Sequence, residues 1–288
     1  MRSLRFVAAA TAVGAIALAG CSSGGDTTAT TQSPEEGETV VVEEPESGDL
    51  DVLVIGASPS PHARILEFVN DNLAEEAGLK LDIVVYSDYI QPNEALQAGE
   101  LDLNYFQTVP YLEDQIAERG YDFEPGEPIH LEPLAIYSDR YETIEEVPDG
   151  ATIGIISDPT NQGRALKLLA DQGFVELPEE GTINITTVTP LRDVSFVEVE
   201  GPSLTRNLTD VDIAVINGNF AIEGGLSPAE DALAVESIEN NPASNLLVWP
   251  VGTDKKDAIL KLQDLLRSDE TRTFIEETWS DGSVIPSF

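Results

Sequence analysis

Residues 51–86 have the sequence DVLVIGASPSPHARILEFVNDNLAEEAGLKLDIVVY, in which the hydrophobic pattern changes twice. Asp51–Gly56 is a short apolar run typical of a buried strand, and the Pro-rich turn after it ends that strand. Apolar residues then recur at helical spacing until Gly78, and Leu81–Tyr86 is a second apolar run. This order of strand, helix and strand predicts a parallel sheet with helices on its faces.

The same alternation continues to the C-terminus, where two amphipathic helices end the chain. Further strands are predicted at 101–106, 129–137, 152–157, 195–200, 212–217 and 246–251, and further helices at 92–96, 110–119 and 158–172. The strand at 129–137 is predicted to cross between lobes. We therefore predict an α/β fold with residues 51–135 plus 246–288 in one lobe and 136–245 in a second. A ligand cleft is expected between the lobes, beyond the carboxyl ends of the strands.

The first 20 residues resemble a bacterial lipoprotein signal peptide. A positively charged start precedes an apolar run over 6–20, which is shorter than the roughly 20 residues that span a bilayer. The run ends in Leu-Ala-Gly before Cys21, the only cysteine of the chain, and this resembles a lipobox. We expect Cys21 to be lipidated and to anchor the protein at the extracytoplasmic face of the cell membrane. The alternative is an ordinary signal peptide with a chance cysteine, which would leave a lone thiol on a secreted chain.

Residues 21–50 comprise this cysteine and a segment with the composition of a tether. Residues 22–50 contain eight carboxylates and no Lys or Arg, and we expect them to be disordered. The whole chain has a formal charge of −38, which becomes −40 once Arg2 and Arg5 are removed with the signal peptide. This charge argues against nucleic acid as a partner, because nucleic-acid binding needs a positive surface. We interpret it as a solvated acidic surface.

Catalysis finds little support in the sequence. The two histidines, His62 and His130, lie in a Pro-rich turn and at a strand start, and neither is at metal-ligand spacing with another His or Cys. Gly56–Ser60 resembles a nucleophile elbow but lacks its second glycine. The sequence also lacks a phosphate-binding loop and a dinucleotide fingerprint. We therefore predict no catalytic residue, no metal site and no cofactor.

Binding chemistry is indicated first by Asp158–Arg164, the sequence DPTNQGR, which follows a strand and opens a helix. Asp158 can cap this helix, and Pro159 suits its first turn. The free N–H groups of the helix start would suit a carboxylate, and Arg164 would add a bidentate ion pair. The alternative is that Arg164 pairs with one of the chain's many surface carboxylates.

Two further stretches combine strand ends with aromatic or amide side chains. Residues 104–111 have the sequence NYFQTVPY, and their rings would either wall an apolar pocket or belong to the core. Residues 214–220, AVINGNF, place Asn217 after an apolar strand, where its amide would bind a charged group or stabilise a turn.

These motifs, in order, resemble the NlpA/MetQ family of methionine-binding lipoproteins over about residues 51–288. The matching stretches are Asp88-Tyr89 with Pro92–Leu96, Asn104–Leu112, Asp158–Arg164 and Ala214–Asn219. The resemblance implies a type II periplasmic-binding-protein fold, whose two lobes close on a ligand, and a methionine ABC importer with permease and ATPase subunits as partner.

The resemblance also implies which residues contact the ligand. By position they are Tyr89, Phe106, Thr108, Tyr111, Asn161, Arg164 and Asn217. The aromatic rings would surround a thioether, Arg164 would bind the ligand carboxylate with Asn161 nearby, and Asn217 would bind the polar backbone. Two departures affect the choice of ligand: Thr108 replaces the family's histidine, and residues 203–207 are SLTRN where the family has QLPRS.

The function expected from these observations is that of a monomeric, non-catalytic receptor for methionine. One alternative is the same fold binding a methionine-containing dipeptide or another amino acid. A second is a surface lipoprotein that transports nothing, and a third is an extracellular enzyme.

Overall fold

The computed structural model describes residues 50–288, so the predicted signal peptide, Cys21 and the tether up to residue 49 lie outside the described residues. The strands within the described part are β1 Asp51–Ala57, β2 Leu79–Val85, β3 Leu103–Thr108, β4 Phe123–Pro125, β5 His130–Leu131, β6 Ala135–Tyr137, β7 Ala151–Ile156, β8 Val175–Glu176, β9 Thr189–Pro190, β10 Val194–Val199, β11 Ile213–Ile216, β12 Ala232–Val235, β13 Ser244–Pro250 and β14 Ile285–Pro286.

The helices connect most of these strands. They are α1 Arg64–Val69, α2 Gln91–Gln97, α3 Val109–Arg119, α4 Pro159–Asp171, α5 Leu204–Asn207, α6 Gly218–Glu223, α7 Lys256–Leu266 and α8 Asp269–Thr278. A turn of π-helix at Asn70–Ala74 extends α1 at its C-terminal end, and the segment Pro59–Ala63 before α1 contains Ser60 in an extended conformation. Within residues 50–288, no helix combines the length and the apolar character needed to cross a membrane.

The first sheet has the order β14-β5-β13-β3-β1-β2, with β4 paired to β13. β1 lies parallel to both β2 and β3, as the opening pattern of the sequence predicts, while β13 runs antiparallel to β3. One face of the sheet packs on the C-terminal helices, where Ile259, Leu262 and Ile275 are fully buried beside Leu53 and Ile55. Apolar residues at helical spacing therefore dock α7 and α8 on this lobe.

The second sheet has the order β10-β7-β11-β6-β12. β7 is parallel to β10 and β11, and β6 is antiparallel to β11 and β12. Helix α4 packs on β7 through Ala165, Leu166 and Leu169, which are all fully buried. The strand β12 is absent from the sequence-based prediction.

The chain passes between the sheets twice. The predicted strand 129–137 is two strands, because β5 belongs to the first sheet and β6 to the second. Pro133 lies between them and has no N–H to donate to a sheet ladder. The return passage runs from the end of β12 to β13. The first sheet thus draws on residues 51–131 and 244–286 and the second on 135–235, while the lobe limits at 135/136 and 245/246 stay a prediction.

Candidate functional site

A cavity lies between the two sheets, where strands from both lobes end. It contains about 380 Å³ of space not occupied by atoms, part of it open to solvent. All seven residues that the sequence analysis named line it: Tyr89, Phe106, Thr108, Tyr111, Asn161, Arg164 and Asn217. Their spatial convergence is a finding, and their contacts with a ligand stay a prediction.

The fold explains why these residues meet. Phe106 and Thr108 lie at the carboxyl end of β3, and Asn217 follows the carboxyl end of β11. Asn161 and Arg164 lie in the first turns of α4, directly after β7. In α/β sheets, the carboxyl ends of parallel strands are where ligand sites form, and here two such ends face each other.

Asp158 caps helix α4, as predicted, but the cap changes what the helix start can bind. Its Oδ1 accepts hydrogen bonds from the main-chain N of Asn161 at 2.7 Å and from Asn161 Nδ2 at 2.8 Å. The main-chain N of Gln162 donates to the carbonyl of Asp158 at 2.8 Å. The prediction that free N–H groups of the helix start face the cleft is therefore wrong for these two residues, because their N–H groups are already bonded.

An amide pair joins α4 to the end of β11. Asn217 Nδ2 donates to Asn161 Oδ1 at 2.9 Å, so the two side chains hold each other in place. Asn217 is buried, and its Oδ1 has no hydrogen-bond partner within the described residues. A buried acceptor without a partner is costly, and a donor supplied by a ligand would remove that cost.

Arg164 pairs with a carboxylate of this chain, the alternative that the sequence left open, although its partner Glu236 is mostly buried. Its Nε donates to Glu236 Oε2 at 2.9 Å, and its Nη2 donates to Glu236 Oε1 and, at 2.9 Å, to the carbonyl of Glu132. The pair is mostly buried, with 19% and 11% of the two side chains exposed. These bonds use Nε and Nη2, so Nη1 makes no hydrogen bond within residues 50–288. Arg164 thus has a carboxylate partner and also lines the cavity.

Three aromatic rings form one wall of the cavity. The centroid of Tyr89 lies 6.0 Å from that of Phe106 and 5.9 Å from that of Tyr111, and the last two rings are 5.9 Å apart. Phe106 and Tyr111 are buried, and both still line the cavity. The rings therefore belong to the hydrophobic core and also wall the cavity, so both alternatives that the sequence left open apply. Burial raises the pKa of Tyr111 far above its ordinary value, so this phenol stays neutral.

Thr108 has a local structural role. It is the N-cap of α3, and its Oγ1 accepts a long hydrogen bond of 3.5 Å from the main-chain N of Tyr111. Thr108, Asn161 and Arg164 also line a neighbouring, larger groove, which contains about 1350 Å³ of space not occupied by atoms, part of it open to solvent.

Sequence reasoning missed a buried polar cluster behind the cavity. Its centre is Glu132, in the first passage between the sheets, and its other members are His62, Tyr105, His130 and Asn245. Glu132, His62 and Asn245 line the cavity. His62 and His130 are distant in sequence, yet their ring centroids are 4.8 Å apart. The histidines carried a weak signal, whereas Glu132 is one of 53 acidic residues and carried none.

Burial controls the charges in this cluster. It lowers the pKa of His62 to about 4 and that of His130 to about 3, so both rings are neutral near pH 7. Burial also raises the pKa of Glu132, which His62, Arg164 and a hydrogen bond from the main-chain N–H of Asn219 counteract. One atom each of His62, His130 and Glu132 lies within 4.8 Å of the others, as metal ligands would. Both Nε2 atoms, however, point at hydrogen-bond acceptors, 2.7 Å from Glu132 Oε1 for His130 and 3.0 Å from Asn245 Oδ1 for His62.

The cavity thus combines acceptors with a cation. Glu132 and Oδ1 of Asn217, which has no partner within the described residues, offer acceptors, and the guanidinium of Arg164 offers charged donors. The aromatic wall completes the enclosure. Such a cavity suits a small zwitterion with an apolar side chain.

Comparison with known proteins gives the class to which this fold and site belong. Residues 53–288 match the family model described as NlpA lipoprotein, and the chain belongs to this family. The prediction of a two-lobed α/β fold like that of periplasmic binding proteins is confirmed by the two sheets and by the solved relatives.

Particular relatives are similar over most of their length. The methionine-binding lipoprotein MetQ of Bacillus subtilis (strain 168) is 36% identical over 249 residues, or 84% of this chain and 89% of the relative. A lipoprotein structure from Actinomyces odontolyticus is 60% identical with a TM-score of 0.82, and it covers 83% of this chain and 100% of its own. A nutrient binding protein of Burkholderia cenocepacia, solved bound to methionine, is 31% identical with a TM-score of 0.79, covering 82% and 100%.

Proposed function

We propose that this protein is the lipid-anchored substrate-binding protein of an ABC importer and that its ligand is methionine. The observation that carries the proposal is the convergence of Glu132, Asn217, Arg164 and three aromatic rings on one cavity. The methionine named or bound in relatives supports the same ligand.

Each part of methionine has a matching group. The ammonium would bind Glu132 and donate to Asn217 Oδ1, which now lacks a partner within the described residues. The carboxylate would bind Arg164 Nη1, with the amide of Asn161 close by. The thioether would lie against Tyr89, Phe106 and Tyr111, because polarisable sulfur packs well on aromatic rings.

The remaining parts of the proposal concern the anchor and the partners. Cys21 would carry the lipid, the acidic tether would allow the lobes to move above the extracytoplasmic membrane face, and permease and ATPase subunits would receive the ligand. The protein would act as a monomer without a cofactor and without catalysis. The match to the NlpA lipoprotein family and the similarity to the methionine-binding lipoprotein MetQ support a binding role.

Calorimetric titration tests the ligand. The full chain, purified in mild detergent, is unfolded and refolded to remove bound ligand and is titrated with L-methionine and D-methionine. Saturable binding of either at one site is expected. Arg164→Gln should weaken it by about 30-fold or more, since losing a buried charged contact costs roughly 2–5 kcal/mol. Unchanged affinity in this variant would refute the carboxylate site, and no binding of any ligand would favour a non-transport lipoprotein.

A methionine-containing dipeptide is the second candidate, and the adjoining groove favours it. The groove continues from Arg164 along α4 to Lys167, so it has room for an extended ligand. Glycyl-methionine in the same titration separates the candidates. If it binds more tightly than both forms of methionine, the groove is part of the ligand site.

A further inference from the structure

A line of hydrogen bonds runs from the core of the first lobe to the wall of the cavity. Tyr105 Oη lies 2.5 Å from His130 Nδ1, and His130 Nε2 lies 2.7 Å from Glu132 Oε1. Tyr105 and His130 are fully buried, and Glu132 is 5% exposed. The first two do not line the cavity, so neither would touch a ligand there.

The direction of these bonds follows from the chemistry of their ends. A carboxylate only accepts hydrogen bonds, so Nε2 of His130 carries the ring proton and donates it to Glu132. The other nitrogen, Nδ1, is then an acceptor for the hydroxyl of Tyr105. Burial keeps the phenol and the imidazole neutral, which agrees with this assignment. The hydroxyl thereby selects the tautomer that donates to Glu132.

A second set of groups converges on the same carboxylate oxygen. His62 Nε2 is 3.3 Å from Glu132 Oε1 and 3.0 Å from Asn245 Oδ1, and Asn245 Nδ2 is 3.4 Å from Glu132 Oε1. On the other side, an added Cβ at Gly218 would lie only 2.6 Å from Cβ of Glu132, so the main chain packs tightly there. Glu132 is therefore held by neutral donors and by packing, and the cation beside it, Arg164, already pairs with Glu236.

We propose that Tyr105 and His130 are positioning residues, which hold the Glu132 carboxylate charged and aimed into the cavity to bind the positively charged amino group of the ligand. This inference rests on the proposed function and extends it to two residues outside the cavity. Neutral donors suit the task, because they stabilise the carboxylate without supplying the positive charge that the ligand itself brings.

A matched pair of ligands isolates the effect. L-Methionine and 4-(methylthio)butanoate share the carboxylate and the thioether, and only methionine has the amino group. The full chain in mild detergent should bind methionine at least about 30-fold more tightly than the analogue, because a buried charged contact is worth roughly 2 kcal/mol or more. This ratio of affinities is the measured quantity.

Tyr105→Phe keeps the ring and removes the hydroxyl that bonds to His130. The affinity for methionine should fall about 3- to 10-fold, the usual worth of one hydrogen bond, while the affinity for the analogue stays constant. Tyr137→Phe is the control, since Tyr137 is a buried tyrosine of the second lobe that does not line the cavity, and its ratio should not change. His130→Leu, checked for folding by its thermal unfolding, should reduce the ratio further.

The possible failures are distinct. If the wild-type chain binds neither ligand, or binds both equally, the proposed amino-group site fails and the positioning role falls with it. If the wild-type chain discriminates but Tyr105→Phe leaves the ratio unchanged, or lowers both affinities equally, the two residues are only structural. Stoichiometric Zn²⁺ binding that His130→Leu abolishes would also overturn the proposal, because Nε2 would then be a metal ligand.

Discussion

The hydroxyl of Tyr89, in the first lobe, donates a hydrogen bond of 2.5 Å to Oδ1 of Asn219, in the second. The ring of Tyr89 also stacks on Phe220, with 4.9 Å between centroids. The hydroxyl of Tyr111 donates a hydrogen bond of 2.7 Å to the main-chain carbonyl of Tyr89 and so helps to hold Tyr89 in position. One side chain thus lines the ligand cavity and joins the two lobes across it.

Tyr89→Phe should favour the open form of the protein. The variant keeps the stacking on Phe220 but removes the only donor to Asn219 Oδ1 among the described side chains, so closure loses about 1 kcal/mol. We expect methionine affinity to fall about 3- to 10-fold and the radius of gyration of the ligand-free protein, from small-angle X-ray scattering, to rise. Tyr111→Phe removes a hydroxyl whose bond lies within one lobe, and it should leave the ligand-free radius unchanged. Equal radii for all three proteins would contradict a role in closure.

Glu236→Gln should destabilise the ligand-free protein by about 1–3 kcal/mol. Arg164 would lose its counterion while still mostly buried, and an unpaired buried charge is costly. A bound ligand carboxylate would replace the lost charge, so methionine should raise the melting temperature of this variant more than that of the wild type. Glu239→Gln, an exposed change in the same loop, controls for the altered net charge. An equal response of variant and wild type to methionine would show that the ligand does not reach Arg164.

Gly218→Ala should reduce methionine binding by displacing Glu132. The new Cβ would lie 2.6 Å from Cβ of Glu132, and the main chain there leaves no flexible group to move aside. Overpacking of this kind costs roughly 1–3 kcal/mol, and we expect a loss of affinity of at least about tenfold. Gly154→Ala is the matched control, because it crowds Ala214 in the second sheet, 3.2 Å away, without contact to Glu132. It should lower stability and keep affinity. Equal affinities for both variants would argue against Glu132.

Lowering the pH should remove a stabilising contribution that His62 makes to the free energy of unfolding. Burial, together with His130, lowers its folded pKa to about 4, whereas the unfolded chain has the ordinary value near 6.5. Between these values the unfolded state binds the extra proton, so the contribution is complete above pH 6.5 and is lost as the pH falls to about 4. The difference in unfolding free energy between the wild type and His62→Gln should therefore shrink by up to about 3 kcal/mol from pH 7 to pH 4, measured by urea titration. A difference independent of pH would show that His62 is not buried and neutral.

The fold could be predicted because its signals are local. Apolar runs bounded by Gly and Pro mark β1, β2, β3 and β7, and the order of strand and helix restricts the topology. The break between β5 and β6 also had a local signal in Pro133, although the apolar residues around it suggested a continuous strand.

The contacts within the site could be predicted only in part. Residues after strand ends converge by topology, which is why the stretches 104–111, 158–164 and 214–220 could be selected, whereas Phe106 and Asn161 were named as ligand contacts through the family resemblance. Arg164 and Glu236 are 72 positions apart in the sequence. No spacing pattern marks which of the many acidic residues pairs with Arg164. The same holds for Glu132, whose importance depends on burial that only the folded chain reveals.

The double passage of the chain between the sheets also determines an order of assembly. Strand β13 lies between β3 and β5, yet the ribosome makes it after every residue of the second sheet. The sheet of the first lobe therefore cannot be completed until residues 244–250 have been synthesised, and β3 has an unpaired edge until then. The second lobe, contiguous in sequence, can complete its sheet first. The residues of the N-terminal lobe therefore remain threadable through a narrow translocation pore until residues 244–250 have been synthesised.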